Sequence, residues 1–262
     1  MKVLFLGDII GNPGRTAAVR DLPWVINNNE IDIVIANGEN AAGGIGISPQ
    51  IADMLLSSGI DVLTSGNHIY KKKEIYDYID NEPRLLKPAN FPPSTPGNGY
   101  YIFSSKKTGD KKVAVINLCG RVFLDSYDCP FRKADEILDE ISKITSLIIV
   151  DFHAEATSEK IAMGWYLDGR ASAVIGTHTH VQTADERILP AGTAYISDVG
   201  MTGPRDSVIG VKKELIIERF LKMMPQKFVV SGSDIWINGA IIEIDEKSGL
   251  AKSILRLNYS AG

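Results

Sequence analysis

The stretch AVIGTHTH at residues 173–180 joins a short apolar run to two histidines. Aliphatic and β-branched runs that are closed by a glycine, here Gly176, are typical of buried strands. His178 and His180 follow the run directly, and histidines two apart in an extended or turning segment can face different metal ions. The stretch therefore predicts a buried strand with metal ligands at its carboxyl end.

Apolar runs of the same kind recur along the chain and predict further buried strands. Together with the quoted run they cover residues 3–6, 31–36, 61–64, 113–117, 147–151 and 173–175. Between the second and third runs, residues 48–57 predict a helix with Ser48 as N-cap and Pro49 in its first position. Alternating strands and helices predict an α/β layered fold.

Two hairpin signals add antiparallel strands to this arrangement. They join residues 100–103 to 113–117 and residues 235–245 to 251–258. We therefore expect mixed β-sheets flanked by helices. Residues 88–99 carry four prolines, but strands resume at once, so we expect one domain over residues 1–262.

The composition excludes several classes of protein. The 262 residues are 44% hydrophobic and 23% charged, which is typical of a globular domain and excludes disordered, collagen-like and coiled-coil chains. The net charge is −4, whereas dedicated nucleic-acid binders are usually basic, so the charge does not favour that class. Cys119 and Cys129 form no disulfide framework, and no run approaches the roughly 18 apolar residues of a membrane span. We expect a soluble, cytoplasmic protein.

Metal-capable side chains follow the predicted strands where those strands end. In open α/β sheets, ligands bind at the carboxyl ends of the strands, so these side chains can converge. The set is Asp8, Glu39, Asn40, Asn67, His68, His153, His178 and His180, which includes all four histidines of the chain. Each of these alone is more often a turn, cap or core residue. Together they supply oxygen and nitrogen donors for two divalent metal ions that share a carboxylate.

An ordered series of motifs resembles that of the calcineurin-like metallophosphoesterases. The motifs are Gly7-Asp8, Gly38-Glu39-Asn40, Gly66-Asn67-His68, the isolated His153 and Gly176-Thr177-His178-Thr179-His180. That family commonly begins with Asp-x-His and has a GDxxD motif. This chain has Asp8-Ile9-Ile10 and Gly38-Glu39-Asn40 instead, which look like the YmdB-like branch. The resemblance implies the metallophosphoesterase fold and an enzyme that hydrolyses 2′,3′-cyclic nucleotides.

The resemblance also implies a role for each residue of the site. The first metal ion is held by Asp8, Glu39, Asn40 and His180, and the second by Glu39, Asn67, His153 and His178. Glu39 bridges the ions, a water between them is the source of the attacking hydroxide, and His68 protonates the departing 2′-oxygen. The product keeps a 3′-phosphate. Iron or manganese suits this donor set, as does zinc.

Other functions fit the same residues. A phosphomonoesterase or 5′-nucleotidase could use the same ions, since the ligands do not encode the substrate pocket. A metal-binding regulatory protein or RNA-processing partner is a further alternative, and exposed hairpins could support a homo-oligomer. Arg121, Asp198 and Arg205 lie near glycine-rich loops, but such residues are ordinarily surface or capping groups, so they are not among the predicted site residues.

Overall fold

Two mixed β-sheets form the centre of the fold. The computed structural model describes residues 1–105 and 108–261. The strands of the first sheet are β1 (Lys2–Leu6), β2 (Asp8–Ile9), β3 (Ile33–Asn37), β4 (Val62–Thr64), β11 (Met201–Pro204), β12 (Ile235–Ile244) and β13 (Ala251–Ser260). Those of the second sheet are β5 (Tyr100–Ser104), β6 (Lys112–Cys119), β7 (Ile148–His153), β8 (Ala173–Thr177), β9 (Arg187–Ile188) and β10 (Ala194–Ile196).

The strand order confirms the prediction of mixed sheets. The first sheet runs β2-β11-β12-β1-β3-β4, with β13 paired to β12, and the second runs β5-β6-β7-β8-β10-β9. Strands β1, β3 and β4 are parallel, whereas β12 is antiparallel to both β1 and β13. Both predicted hairpins form, because β5 pairs antiparallel with β6 and β12 with β13.

Helices cover the outer faces of the two sheets, except the last one, which contributes no described residue to the three buried cores. They are α1 (Gly11–Asn29), α2 (Pro49–Ser57), α3 (Ile75–Ile79), α4 (Pro130–Ile141), α5 (Thr157–Tyr166) and α6 (Lys213–Lys222), with a 3-10 helix over Ile69–Lys71. The predicted helix after Ser48 forms as α2, although the Ser48 side chain makes no capping hydrogen bond. Within the described ranges, we find no helix that is both long enough and apolar enough to cross a membrane.

The alternation of side chains along β1 shows how the layers pack. Val3 and Phe5 point into the core between the two sheets, whereas Leu4 and Leu6 pack toward α1 and α2. A third core joins the second sheet to α4 and α5. The order of layers is therefore helix, sheet, sheet, helix, and both sheets contribute strand ends to the same edge.

Strand boundaries differ from the predicted runs where pairing continues beyond the apolar residues. Cys119, His153 and Thr177 lie side by side in register at the ends of three parallel strands. His153 is thus the last residue of a strand rather than part of the loop that follows it. Asp8 likewise lies in a strand of its own, β2, because its backbone pairs with Met201.

Candidate metal centre

The predicted site residues occupy one edge of the sandwich. Asp8 lies in β2, and His153 ends β7. The remaining residues follow β3, β4 and β8, and they are Glu39, Asn40, Asn67, His68, His178 and His180. Four of them come from the loops of the first sheet and two from the loop of the second.

Four side chains converge tightly, and we call them the inner group: Glu39, Asn67, His153 and His178. His153 Nε2 lies 3.2 Å from Glu39 Oε1 and 3.2 Å from Asn67 Oδ1. The same nitrogen lies 2.9 Å from His178 Nδ1. Glu39 and His153 are fully buried. Two imidazoles, a carboxylate and an amide oxygen around one point form a donor set that suits a divalent transition-metal ion.

Three further side chains form a looser outer group: Asp8, Asn40 and His180. His180 Nε2 lies 3.8 Å from Asp8 Oδ1, and Asn40 Nδ2 lies 3.2 Å from His180 Nε2. Asn40 Nδ2 also donates to Glu39 Oε1 over 3.1 Å, which links the two groups. Cations bind amide oxygens, so Asn40 fits as a ligand after a half-turn of its amide, which exchanges oxygen and nitrogen with little change of shape.

Asp8 provides a further test of whether a cation fits here. Its Oδ2 accepts a hydrogen bond from the His178 backbone N over 3.1 Å. Its Oδ1 is buried and has no hydrogen-bond partner in the part of the chain that the structure describes. A buried carboxylate oxygen without a partner is costly unless a cation or water satisfies it. Together with the donor set, this oxygen shows that the residues present fit divalent metal ions.

Hydrogen bonds behind His153 fix the orientation of its ring. Thr177 Oγ1 donates to Asp151 Oδ1 over 2.7 Å, and Asn37 Nδ2 donates to Asp151 Oδ2 over 3.1 Å. The Thr177 hydroxyl proton is thereby committed, so the contact of 2.9 Å between His153 Nδ1 and Thr177 Oγ1 places the proton on the imidazole nitrogen. His153 Nε2 then faces the inner group, as is usual for metal-binding histidines with a hydrogen-bonded second nitrogen.

The loop that carries His178 and His180 adopts an unusual backbone. Their φ angles are 101° and 66°, which are uncommon for residues other than glycine and turn the two side chains in different directions. Thr179 between them is held by Asp198, whose Oδ2 accepts from Thr179 N over 3.0 Å and from Thr179 Oγ1 over 2.7 Å. Lys160 Nζ donates to the same oxygen over 2.7 Å, and both charged side chains are buried.

Lys160 and Asp198 support the site, although the sequence analysis left Asp198 out of it and did not consider Lys160. Asp198 follows the short strand β10, and its proximity to Gly200 was the available signal. Lys160 offers no such signal, because a lysine in a helix is ordinarily exposed. Gly66 is required for a different reason: a Cβ atom there would lie 2.1 Å from His153 Cδ2.

His68 lies beside both groups at the margin of the site. Its backbone N donates to Glu39 Oε2 over 2.9 Å, and its ring Nδ1 lies 2.9 Å from Asn40 Oδ1. The side chain is 27% exposed, in contrast to the buried inner carboxylate and imidazole. This ring is therefore positioned by the loops that carry the predicted ligands, and it is accessible from solvent.

Burial and mutual attraction set the protonation states of the metal-free cluster. Burial raises the pKa of Glu39, but the charges and hydrogen bonds of His153 and His68 outweigh it and hold that pKa well below its usual value. Burial lowers the pKa of His153, yet Glu39 attracts the imidazolium and raises it to about 9. Burial, followed by repulsion from His153, lowers the pKa of His178 to about 3. Without a metal ion, a proton on His153 thus neutralises Glu39.

Comparison with known proteins identifies relatives along nearly the whole chain. The family described as YmdB-like protein matches residues 4–257. Over 258 residues, the chain is 52% identical to a 2′,3′-cyclic-nucleotide 2′-phosphodiesterase of Bacillus subtilis strain 168, covering 98% of this chain and 96% of that protein.

Two solved structures share the fold. A protein of Thermus thermophilus superposes with a TM-score of 0.92 at 39% sequence identity, over 100% of both chains. A phosphatase of Mycoplasma pneumoniae superposes with a TM-score of 0.90 at 34% identity, over 99% of this chain and 94% of that one. The resemblance inferred from the motifs is confirmed, and the chain belongs to the YmdB-like family of metallophosphoesterases.

Proposed function

We propose that the chain is a metal-dependent phosphodiesterase that hydrolyses 2′,3′-cyclic nucleotides to 3′-nucleotides. The observation that carries this proposal is the convergence of the inner group around His153 Nε2, with the accessible His68 ring beside it. The name of the Bacillus subtilis relative supports the class of reaction and substrate.

We assign the ligands to two ions in the division that the family resemblance implies. Glu39, Asn67, His153 and His178 would hold one ion, and Asp8, Glu39, Asn40 and His180 the other. Bound divalent ions supply Lewis acidity to the phosphoryl oxygens and lower the pKa of water. Iron and manganese match the mixed oxygen and nitrogen donors, and zinc also suits them.

His68 is the proposed general acid. Its Nδ1 lies 2.9 Å from Asn40 Oδ1, and the half-turn that aims this oxygen at a metal ion would place Nδ2 of the same amide against the ring, so His68 keeps an amide partner in either orientation. Nε2 is the nitrogen without a hydrogen-bond partner among the described residues. Histidine is the commonest general acid in enzymes, and this ring would donate a proton to a departing ribose 2′-oxygen. The buried carboxylates Asp8 and Glu39 cannot take this role, because neither is accessible to a substrate.

The test is hydrolysis of 2′,3′-cyclic AMP by purified protein reconstituted with Mn²⁺, beside Glu39→Gln and His68→Asn. We expect 3′-AMP as the product, identified by ³¹P NMR. Each variant should lose about 10²- to 10³-fold in kcat/KM, the scale of removing one group that stabilises transition-state charge. His68→Asn should still bind metal, whereas Glu39→Gln should bind less. Metal-loaded protein that leaves the cyclic nucleotide intact would contradict the proposal.

A phosphomonoesterase is the second candidate, since the Mycoplasma pneumoniae neighbour is named a phosphatase. Comparing kcat/KM for 2′,3′-cyclic AMP and for 5′-AMP separates the two activities. Faster turnover of 5′-AMP would favour the monoesterase. A cytoplasmic location, an RNA-processing partner and a homo-oligomer stay predictions from the sequence.

A further inference from the structure

A cleft of about 340 Å³ opens beside the outer group. It extends from His180 along the ends of β11, β12 and β13. Its volume is at the lower end of the range for small-molecule sites, and it is continuous with a proposed metal ligand. Side chains with distinct chemistry line it, among them Gln182, Arg205, Trp236, Asn238 and Asn258.

One wall of the cleft is a cation stacked on an aromatic ring. The guanidinium carbon of Arg205 lies 4.5 Å from the centroid of the Trp236 ring. Asp234 fixes this pair, because its Oδ1 accepts from Trp236 Nε1 and its backbone O accepts from Arg205 N, each over 2.7 Å. Within the described residues, the Arg205 guanidinium forms no salt bridge. Indole and guanidinium planes of this kind are surfaces on which nucleobases stack.

Amide groups form another part of the lining. Asn238 and Asn258 lie directly across from each other in the register of β12 and β13. Asn258 Nδ2 donates to Gln182 Oε1 over 3.1 Å, and Gln182 Nε2 is held by two backbone carbonyls. Asn238 Oδ1 has no hydrogen-bond partner in the described part of the chain. Amides both donate and accept, so they suit the polar edge of a heterocyclic base.

We propose that this cleft, which we call the base cleft, receives the nucleobase of the substrate, with Trp236 and Arg205 as its stacking surface. The inference rests on the proposed function, because the adjoining metal centre would hold the phosphoryl group. It assigns the enzyme to nucleotides, with the base contributing to binding, rather than to phosphodiesters in general. Trp236 and Arg205 are then residues that determine specificity and take no part in the chemical step.

The experiment compares 2′,3′-cyclic AMP with glycerol 1,2-cyclic phosphate, which has the same five-membered cyclic phosphodiester and no base. Trp236→Ala should lower the preference for the nucleotide, as a ratio of kcat/KM values, by about 5- to 100-fold, the range for losing one base–aromatic stack. The loss should lie in KM for the nucleotide rather than in kcat. Trp236→Phe should restore most of the preference.

A matched control is Trp165→Ala. Trp165 is 51% exposed and lies under the Arg187 guanidinium at 5.6 Å, but it does not line the base cleft. This variant should retain the wild-type preference. Equal losses by Trp236→Ala on both substrates, or no loss on either, would overturn the proposal. Equal losses by Arg205→Ala on both substrates would identify a contact to phosphate and overturn its role in stacking.

Binding distinguishes failure of the base cleft from failure of the proposed function. Tryptophan fluorescence of the metal-loaded protein should be quenched by 3′-AMP and not by inorganic phosphate, and Trp236→Phe should remove most of that quenching. If wild-type protein hydrolyses neither substrate, the proposed function fails, and this titration alone decides the base cleft. Turnover of the nucleotide without Trp236-dependent quenching or preference would overturn only the base cleft.

Discussion

The inner and outer groups differ in how their donors are held. In the inner group, three donor atoms lie within 3.2 Å of His153 Nε2. The central ring is oriented by the hydrogen bond from its Nδ1 to Thr177 Oγ1, which in turn donates to Asp151. In the outer group, His180 Nε2 and Asp8 Oδ1 are 3.8 Å apart, and the other ring nitrogen of His180 bonds to the Ile209 carbonyl over 2.9 Å. Strand residues and buried side chains position the inner group, whereas loop backbone positions much of the outer group.

From this difference we propose that the inner and outer groups bind metal unequally. Prearranged donors lose less conformational freedom on binding, so the inner group should hold its ion more tightly. Glu39 belongs to the inner group and contacts Asn40 of the outer group, so the halves are coupled without being equivalent.

Lys160→Met should have the largest effect, because it removes a contact that supports both the inner and the outer group. The substitution leaves Asp198 buried without its cation partner, and Asp198 holds Thr179 between the inner His178 and the outer His180. We expect the free energy of unfolding to fall by about 3–5 kcal/mol, measured by urea denaturation of metal-free protein. The double variant Lys160→Met/Asp198→Asn should recover part of this loss. A loss of less than about 1 kcal/mol in the free energy of unfolding would show that the Lys160–Asp198 pair does not stabilise the fold.

Replacing one histidine from each half should sharpen the comparison. His178→Asn should abolish tight binding at the inner group, whereas His180→Asn should retain about one tightly held ion per chain. Both should lower kcat/KM by about 10²- to 10³-fold, since each removes part of the charge that stabilises the transition state. Metal content after dialysis, measured by mass spectrometry, distinguishes the variants. Equal metal content in the two would contradict the proposed inequality.

Asp151→Asn should weaken the inner half alone. Asp151 contacts no proposed substrate group but orients His153 through Thr177, and removing such a partner typically costs about 10- to 100-fold in metal affinity. Competition with a fluorescent chelator measures the metal affinity of the variant. Asp168→Asn is the control, because Asp168 accepts backbone hydrogen bonds from Ala191 and Thr193 and lies outside the metal-ligand network. The proposal fails here if both variants bind metal equally well.

The smallest effect is a pH dependence that differs between metal-free and metal-loaded protein. Burial opposes the charged form of His153, but Glu39 raises its pKa to about 9 in the metal-free fold, above the ordinary 6.5. Its contribution to stability is therefore present below pH 6.5 and is lost as the pH rises toward 9. Metal affinity should strengthen over the same interval, since a ligating imidazole must be neutral.

Thermal unfolding between pH 7 and 9 checks this prediction. The midpoint should fall with rising pH in the presence of a chelator and fall less with Mn²⁺. Metal-free His153→Asn provides the control, because it removes this imidazole together with its attraction for the carboxylates of Asp8, Glu39 and Asp151. An unchanged slope in that variant would assign the pH dependence to other residues.

Much of the fold could be predicted because its signals are local. The apolar runs and the Ser48-Pro49 helix start depend on neighbours in sequence, and each appears in the structure within a few residues of its predicted bounds. Strands β2 and β11 were not predicted, because two and four residues carry little periodicity and pair only through distant contacts.

In the site, too, features with local signals could be predicted and features that depend on distant contacts could not. The strand-end rule predicted that donors from several strands meet, and the inner group does so. The φ angles of His178 and His180 and the buried pair Lys160–Asp198 depend on packing between segments far apart in the sequence. Residue propensity and sequence spacing cannot predict such contacts, because the partner of a buried charge can lie anywhere in the sequence.

The pairing of β1 has a consequence for synthesis on the ribosome. This first strand lies between β3 and β12, and β12 begins at Ile235, near the end of the chain. The Asp8 backbone N also bonds to the Gly200 carbonyl. Most of the polypeptide must therefore have emerged before Asp8 reaches its final neighbours. We expect the nascent chain to acquire metal late, because a truncated product ending before β12 would carry every proposed ligand but lack the strand that pairs with β1.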